Sequence, residues 1–204
     1  MSVIYYRPRV LETIARQTLC KYDCDYLNQA PAAVPIEMII EKFFCLTIEY
    51  QYLTNNAREL GRMIYDNGIT TYYDQDLGDY ALMRVQAGTM LIDASLLTDE
   101  MYGRLRFTLA HELAHYIIHK RIFCGTGVAA ALYNNNADED AMEWQANYLA
   151  RAILMPNGQI KRCFYALRPL CISESEFIKQ IAAIFEVSKQ AIKVISFILP
   201  FLIQ

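Results

Sequence analysis

Residues 107 to 119 read Phe-Thr-Leu-Ala-His-Glu-Leu-Ala-His-Tyr-Ile-Ile-His and hold all three histidines of the chain. No other segment constrains the fold as tightly. The run is rich in Leu and Ala and free of Gly and Pro, so it is helical by propensity. Leu105, Leu109, Leu113, Tyr116 and Ile117 recur at three- and four-residue spacing and form a core stripe. His111 and His115, four apart, fall on another side with Arg104 and Thr108, so both imidazoles can close on one divalent metal. Glu112 projects about 100° away from His111. A fold built on this segment must bury one side of the helix and leave a cleft along the other.

That His-Glu-x-x-His pattern is the geometry of a zinc hydrolase. Neutral imidazole is the commonest zinc ligand, and two of them with one carboxylate leave a fourth position open. Zinc there lowers the pKa of a bound water to about 7 and polarises a carbonyl. Glu112, beside the metal without ligating it, is expected to act as general base and to pass the proton to the leaving amine.

The third ligand has to come from elsewhere. His119 lies one turn beyond His115, and three ligands in a row along one helix drift by about 40° per step, which cannot surround a metal tetrahedrally. His119 is therefore read as an outer or helix-end residue. Residues 138 to 147 open another helix whose core stripe is Met142, Ala146, Leu149, Ala150 and Ile153. Glu143 lies beside that stripe and is the preferred third ligand, with Glu139 as the second choice. Asp138, Glu139 and Asp140 sit in the first turn, where acidic residues offset the helix dipole. Asn147, four residues after Glu143, is expected to orient that carboxylate. Two histidines and a carboxylate accept manganese or iron as well as zinc.

Ahead of the histidine helix the hydrophobic period changes. Residues 8 to 29 and 35 to 44 read as helices. Residues 46–53, 61–66, 69–74, 80–85 and 89–93 are short, β-branched or aromatic, and punctuated by turns at Asp66-Asn67-Gly68, Leu77-Gly78-Asp79 and Ala87-Gly88-Thr89. From residue 98 the pattern is helical to about 200. Strands before helices make the fold class α+β: a small, mostly antiparallel sheet, then a helical core with the histidine helix, then C-terminal helices. Residues 89–93, the last strand before the histidine helix, are the candidate substrate-binding edge strand, with a plain structural strand as the equal alternative. Residues 125–136 form a loop expected to line or cover the cleft.

The two helices resemble the ImmA/IrrE metallopeptidases. Arg106-Phe107-Thr108-Leu109-Ala110-His111-Glu112-Leu113-Ala114-His115 is similar to that family's first motif. Glu143-Trp144-Gln145-Ala146-Asn147-Tyr148-Leu149-Ala150, closing at Ile153-Leu154-Met155-Pro156, is similar to its second. Weaker echoes are Pro35-Ile36-Glu37 and the segment from Phe185 to Ala191. The resemblance implies a zincin of the gluzincin-like type with His111, His115 and Glu143 on zinc and Glu112 as base. It also implies action on a helix-turn-helix transcriptional repressor, by cleavage or by relief of repression. Gln145, Leu149 and Ile195-Ser196 depart from the family's Glu, Phe and Arg-Leu, and none of these departures touches the metal set.

Bulk properties fit one metallopeptidase domain over 1–204, with helices and sheet in 1–97, metal-site helices in 98–156 and a helical part in 157–204. A hydrophobic fraction of 54% excludes a disordered regulator, and a net charge of −3 argues against direct nucleic-acid binding. The six cysteines form no CxxC pair, and the first residues lack the apolar run of a signal peptide, so a reduced cytoplasmic protein is expected. The apolar tail, 194–203, is interrupted by Pro200 and too short for a membrane helix; it is expected to pack on the domain or form a homodimer contact. The helices at 174–185 and 188–199 have the outline of a helix-turn-helix, but apolar Ile192, Val194, Ile195 and Phe197 on the second point to core packing.

The expected function is zinc-dependent endopeptidase action on a protein partner, a helix-turn-helix repressor. The alternative is a metal-bearing interaction module that disarms a repressor or antitoxin by binding without cleavage. A structural zinc site closed by Cys124 is a third reading.

Overall fold

The computed structural model describes residues 4–124, 136–170 and 173–198, with backbone alone at 136–137 and 194–198. Helix α1 (Pro8–Tyr22) starts with Pro in its first turn, where the missing N–H costs nothing. It stops at Tyr22, and a 3-10 turn (Tyr26–Asn28) takes over the rest of the expected 8–29 helix. α2 (Ile36–Met38) runs on as a π-helical turn through Phe43.

Five strands follow: β1 (Thr47–Gln51), β2 (Gly61–Met63), β3 (Gly68–Asp74), β4 (Asp79–Val85) and β5 (Thr89–Asp93). They divide between two sheets. One is three-stranded in the order β1-β5-β2, parallel between β1 and β5 and antiparallel between β2 and β5. The other is the β3–β4 hairpin. The fold is α+β, as expected, and two of its three strand pairings are antiparallel.

The edge-strand expectation for residues 89–93 does not hold. β5 is paired on both sides and all five of its residues are buried, because a central strand in a covered sheet has no face left for water. The edge beside the histidine helix is β2. Asp93 N–H donates to Leu60 O (2.9 Å) and Ile64 N–H to Thr89 O (2.8 Å). Antiparallel alternation therefore turns the main-chain groups of Gly61 and Met63 away from β5.

β5 leads into the helical half through Asp93, which is fully buried. Its carboxylate accepts from Leu53 N–H (2.8 Å) and Ser95 N–H (3.0 Å), and it bonds the Ser95 hydroxyl, so the buried charge is satisfied at the turn. α3 (Tyr102–Phe123) then runs through the centre of the molecule. Its expected stripe is buried at Leu105, Leu109 and Leu113, with Tyr116 and Ile117 half-buried. The opposite side is covered too: Thr108, Glu112, His115 and His119 are buried beneath neighbouring elements.

Arg106 pins α3 to two distant segments. It is 4% exposed, donates to Val34 O (2.6 Å) and pairs with Glu186 (3.5 Å). Gly103 serves the same junction, because a Cβ there would stand 2.8 Å from Ser188 N.

α4 (Asn136–Leu154) packs along α3 with Met142, Ala146, Leu149, Ala150 and Ile153 buried, as its periodicity predicts. α5 (Asn157–Leu167), α6 (Glu174–Phe185) and α7 (Lys189–Ile198) complete the core. Between α6 and α7 the chain turns at Glu186, in the left-handed region (φ 50°), and Ile178, Ile181, Phe185, Val187 and Ile192 are buried there. Ile192 thus packs into the core as expected, while the side chains of Val194, Ile195 and Phe197 lie outside the described residues. No helix among the described residues is long and apolar enough to cross a membrane. All of the expected cleft loop 125–136 except its last residue, and the end of the apolar tail, 199–204, lie outside the described residues.

Candidate metal centre

Packing of α4 across α3 brings Glu143 onto the two histidines. Its Oε2 lies 3.3 Å from His111 Nε2 and its Oε1 lies 3.1 Å from His115 Nε2. The two Nε2 atoms are 3.0 Å apart. Ligand atoms at about 2.0–2.1 Å around a tetrahedral ion are separated by about 3.3 Å, so the triangle has the size such an ion requires. Among the described residues these three form the group able to hold a metal. Glu139 lies on the cleft wall without joining them, and Cys124 is exposed beyond the end of α3.

Each histidine has an outer partner that fixes its tautomer. His111 Nδ1–H donates to Asn147 Oδ1 (3.1 Å), which makes Nε2 the nitrogen that faces the cluster. Asn147 therefore orients His111 rather than Glu143, the carboxylate it was expected to serve. From Glu143 to Asn147 is one helical turn on α4, and the side chain reaches across to α3 instead of back along its own helix. His115 Nδ1 lies 3.0 Å from His119 Nδ1. Burial, and then His115 itself, lower the His119 pKa to about 3, so the ring is neutral and can accept from His115 Nδ1–H. His119 stands outside the His111–His115–Glu143 group, as helical geometry predicts.

The carboxylates divide by environment. Hydrogen bonds from His111 and His115 hold the half-exposed Glu143 well below the usual carboxylate range. Burial raises Glu112, against the opposing pull of His115 and His111. His111 is lowered by burial, but the Glu143 hydrogen bond and the charges of Glu112 and Glu143 outweigh this and raise it overall.

A cleft of about 900 Å³ opens on the cluster. β2 forms one wall, Thr70 and Leu82 of the hairpin another, and α3 and α4 the floor. Gly61 is essential to this closeness: a Cβ would stand 2.7 Å from Glu112 Oε1 and 2.8 Å from Thr108 Cγ2. Arg62 ties the hairpin to β2 through Glu59 (2.6 Å), Thr70 Oγ1 and Thr71 O (3.1 Å). Tyr65 completes the wall, its ring 5.1 Å from that of Phe123, with a buried hydroxyl that finds no partner among the described residues. Gly61 and Tyr65 carry no motif signal. The chain has 8 glycines and 15 tyrosines, and only the approach of β2 to α3 singles these two out.

Residues 57–194 match the sequence profile of the IrrE N-terminal-like domain, peptidase family M78. The chain belongs to this family. This M78 member is thus of metallopeptidase type, and its fold carries the His-His-Glu group that such a chemistry uses. A solved structure described as a Mycobacterium tuberculosis transcriptional regulator superposes on 90% of the M78 chain with a TM-score of 0.50 and 15% identity. The chain spans 44% of that structure's length, and the likeness is one of fold. No curated protein matches the chain.

Three variants test the local geometry. Asn147→Ala and His119→Ala should each weaken metal binding about 10–100-fold, measured by chelator competition, since each frees one imidazole to rotate. Gly61→Ala should leave metal affinity intact yet lower kcat about a hundredfold by displacing Glu112; unchanged kcat would show that β2 can move aside.

Proposed function

We propose that this protein is a zinc-dependent endopeptidase that acts in the cytoplasm on a protein partner, a helix-turn-helix repressor, and so relieves repression. The observation that carries the reading is the His111–His115–Glu143 triangle, with Glu112 buried beside it at the base of a cleft. His111, His115 and Glu143 are the metal ligands and Glu112 the general base. A bound zinc ion supplies Lewis acidity and a water of lowered pKa. Glu112 takes a proton from the attacking water and delivers it to the leaving amine nitrogen. Asn147 and His119 keep the ligand nitrogens aimed. The outward main-chain groups of Gly61 and Met63 suit an extended peptide added to β2 as a further strand.

The ImmA/IrrE resemblance supports the repressor as substrate, and the fold shared with a protein described as a transcriptional regulator agrees with a regulatory role. The test is incubation of the zinc-loaded protein with a helix-turn-helix repressor drawn from any such reading frame neighbouring its gene, read by mass spectrometry. Discrete fragments that are absent with Glu112→Gln are expected. An intact repressor that nevertheless leaves its operator, with wild type and variant alike, would replace cleavage by disarming through binding.

A further inference from the structure

The metal cleft has a neighbour. A second groove of about 460 Å³ lies on the far side of Asn147, walled by Phe107, Trp144, Tyr148 and Met155, with Ala191 of α7 opposite. The two concavities adjoin, with Phe107 and Asn147 as their shared wall. The groove also begins at the metal ligands themselves: Trp144 follows Glu143, Asn147 bonds His111 at 3.1 Å, and the Phe107 ring lies 6.4 Å from that of His111.

Its lining is aromatic and open. Trp144 is 40% exposed; Tyr5 stacks on it with ring centroids 5.8 Å apart, and Tyr148 lies at 5.5 Å. A cluster of large aromatic side chains left in contact with water marks a surface that gains by covering. Arg151 stands over the Tyr148 ring (4.4 Å) and makes the rim cationic, which disfavours a basic occupant.

We propose that this groove is the specificity subsite of the enzyme and takes one large apolar side chain, aromatic or leucine-sized, from a residue next to the scissile bond. The inference rests on the peptidase reading of the cleft. Adjacency to that cleft selects the occupant: Phe107 bounds both the groove and the space over the His111–His115–Glu143 cluster, the groove's walls are mainly apolar despite Ser188 and Gln190, and no carboxylate lines it to hold a basic side chain.

Trp144 is the only tryptophan in the chain, so its emission reports the groove directly. The experiment titrates the zinc-loaded protein with peptide hydroxamates carrying Gly, Leu, Phe or Lys beside the chelating group, and with acetohydroxamate as the side-chain-free control. Leu and Phe compounds should bind about tenfold or more tighter than the Gly compound and shift Trp144 emission. The Lys compound should gain nothing. Ala191→Phe, which narrows the groove, should erase the preference while acetohydroxamate binds as before. Equal affinities across the series, with acetohydroxamate bound, would overturn the subsite and leave the metal reading standing. Failure of acetohydroxamate to bind would overturn both. Emission that answers to protein concentration and not to any hydroxamate would make the groove a contact between copies and overturn the proposal.

Discussion

Glu112→Gln should lower kcat by about 10²–10⁴-fold while the protein keeps one metal ion per chain. The substitution preserves size and the close approach to Gly61, so the fold is not at risk. It removes only the ability to accept a proton. Glu112 is buried, and burial raises its pKa, which strengthens the carboxylate as a base once it is ionised. It is also absent from the ligand triangle, so metal content should not change. Peptide hydrolysis together with metal analysis separates the two roles. Full activity in the variant would remove Glu112 from the chemistry, whereas lost metal would make it a ligand.

The second large effect is expected at Glu143. Glu143→Ala should abolish stoichiometric metal binding, a loss beyond the roughly 10–100-fold caused by removing an outer partner. Both of its oxygens face histidine nitrogens, at 3.1 and 3.3 Å, and no other carboxylate among the described residues joins the group. Glu139→Ala, one turn earlier on α4, should leave metal affinity unchanged even though Glu139 lines the same cleft. Chelator competition on the two variants decides the ligand. Reversal of their effects would move the third ligand to Glu139.

Much of this centre is legible in the chain because it depends on helical period alone. The spacing of His111 and His115 dictates a shared face whatever surrounds it, and the same rule puts Glu112 to one side and His119 out of the ligand set. The burial of Met142, Ala146, Leu149, Ala150 and Ile153 follows from the same period on α4 and turns Glu143 toward α3. Strand boundaries were nearly as accessible, since turn residues bracket each short β-branched run.

Sheet order was not. The five runs show where strands lie but not which strands pair, and residues 89–93 read as an edge when they form the covered centre. Asn147 was assigned to the wrong partner for a related reason. Spacing along one helix names neighbours on that helix, whereas its hydrogen bond crosses to His111 on another.

The sequence by itself determined the α+β class, the two-histidine face, the place of Glu112 beside it and the helix that carries Glu143. These are local consequences of backbone geometry. Only the tertiary structure decided that β2 is the strand lying on Glu112, that Asn147 and His119 are the partners of His111 and His115, and that an aromatic groove adjoins the cleft. Each of these depends on how distant segments pack, and a contact between elements leaves no periodicity in either one.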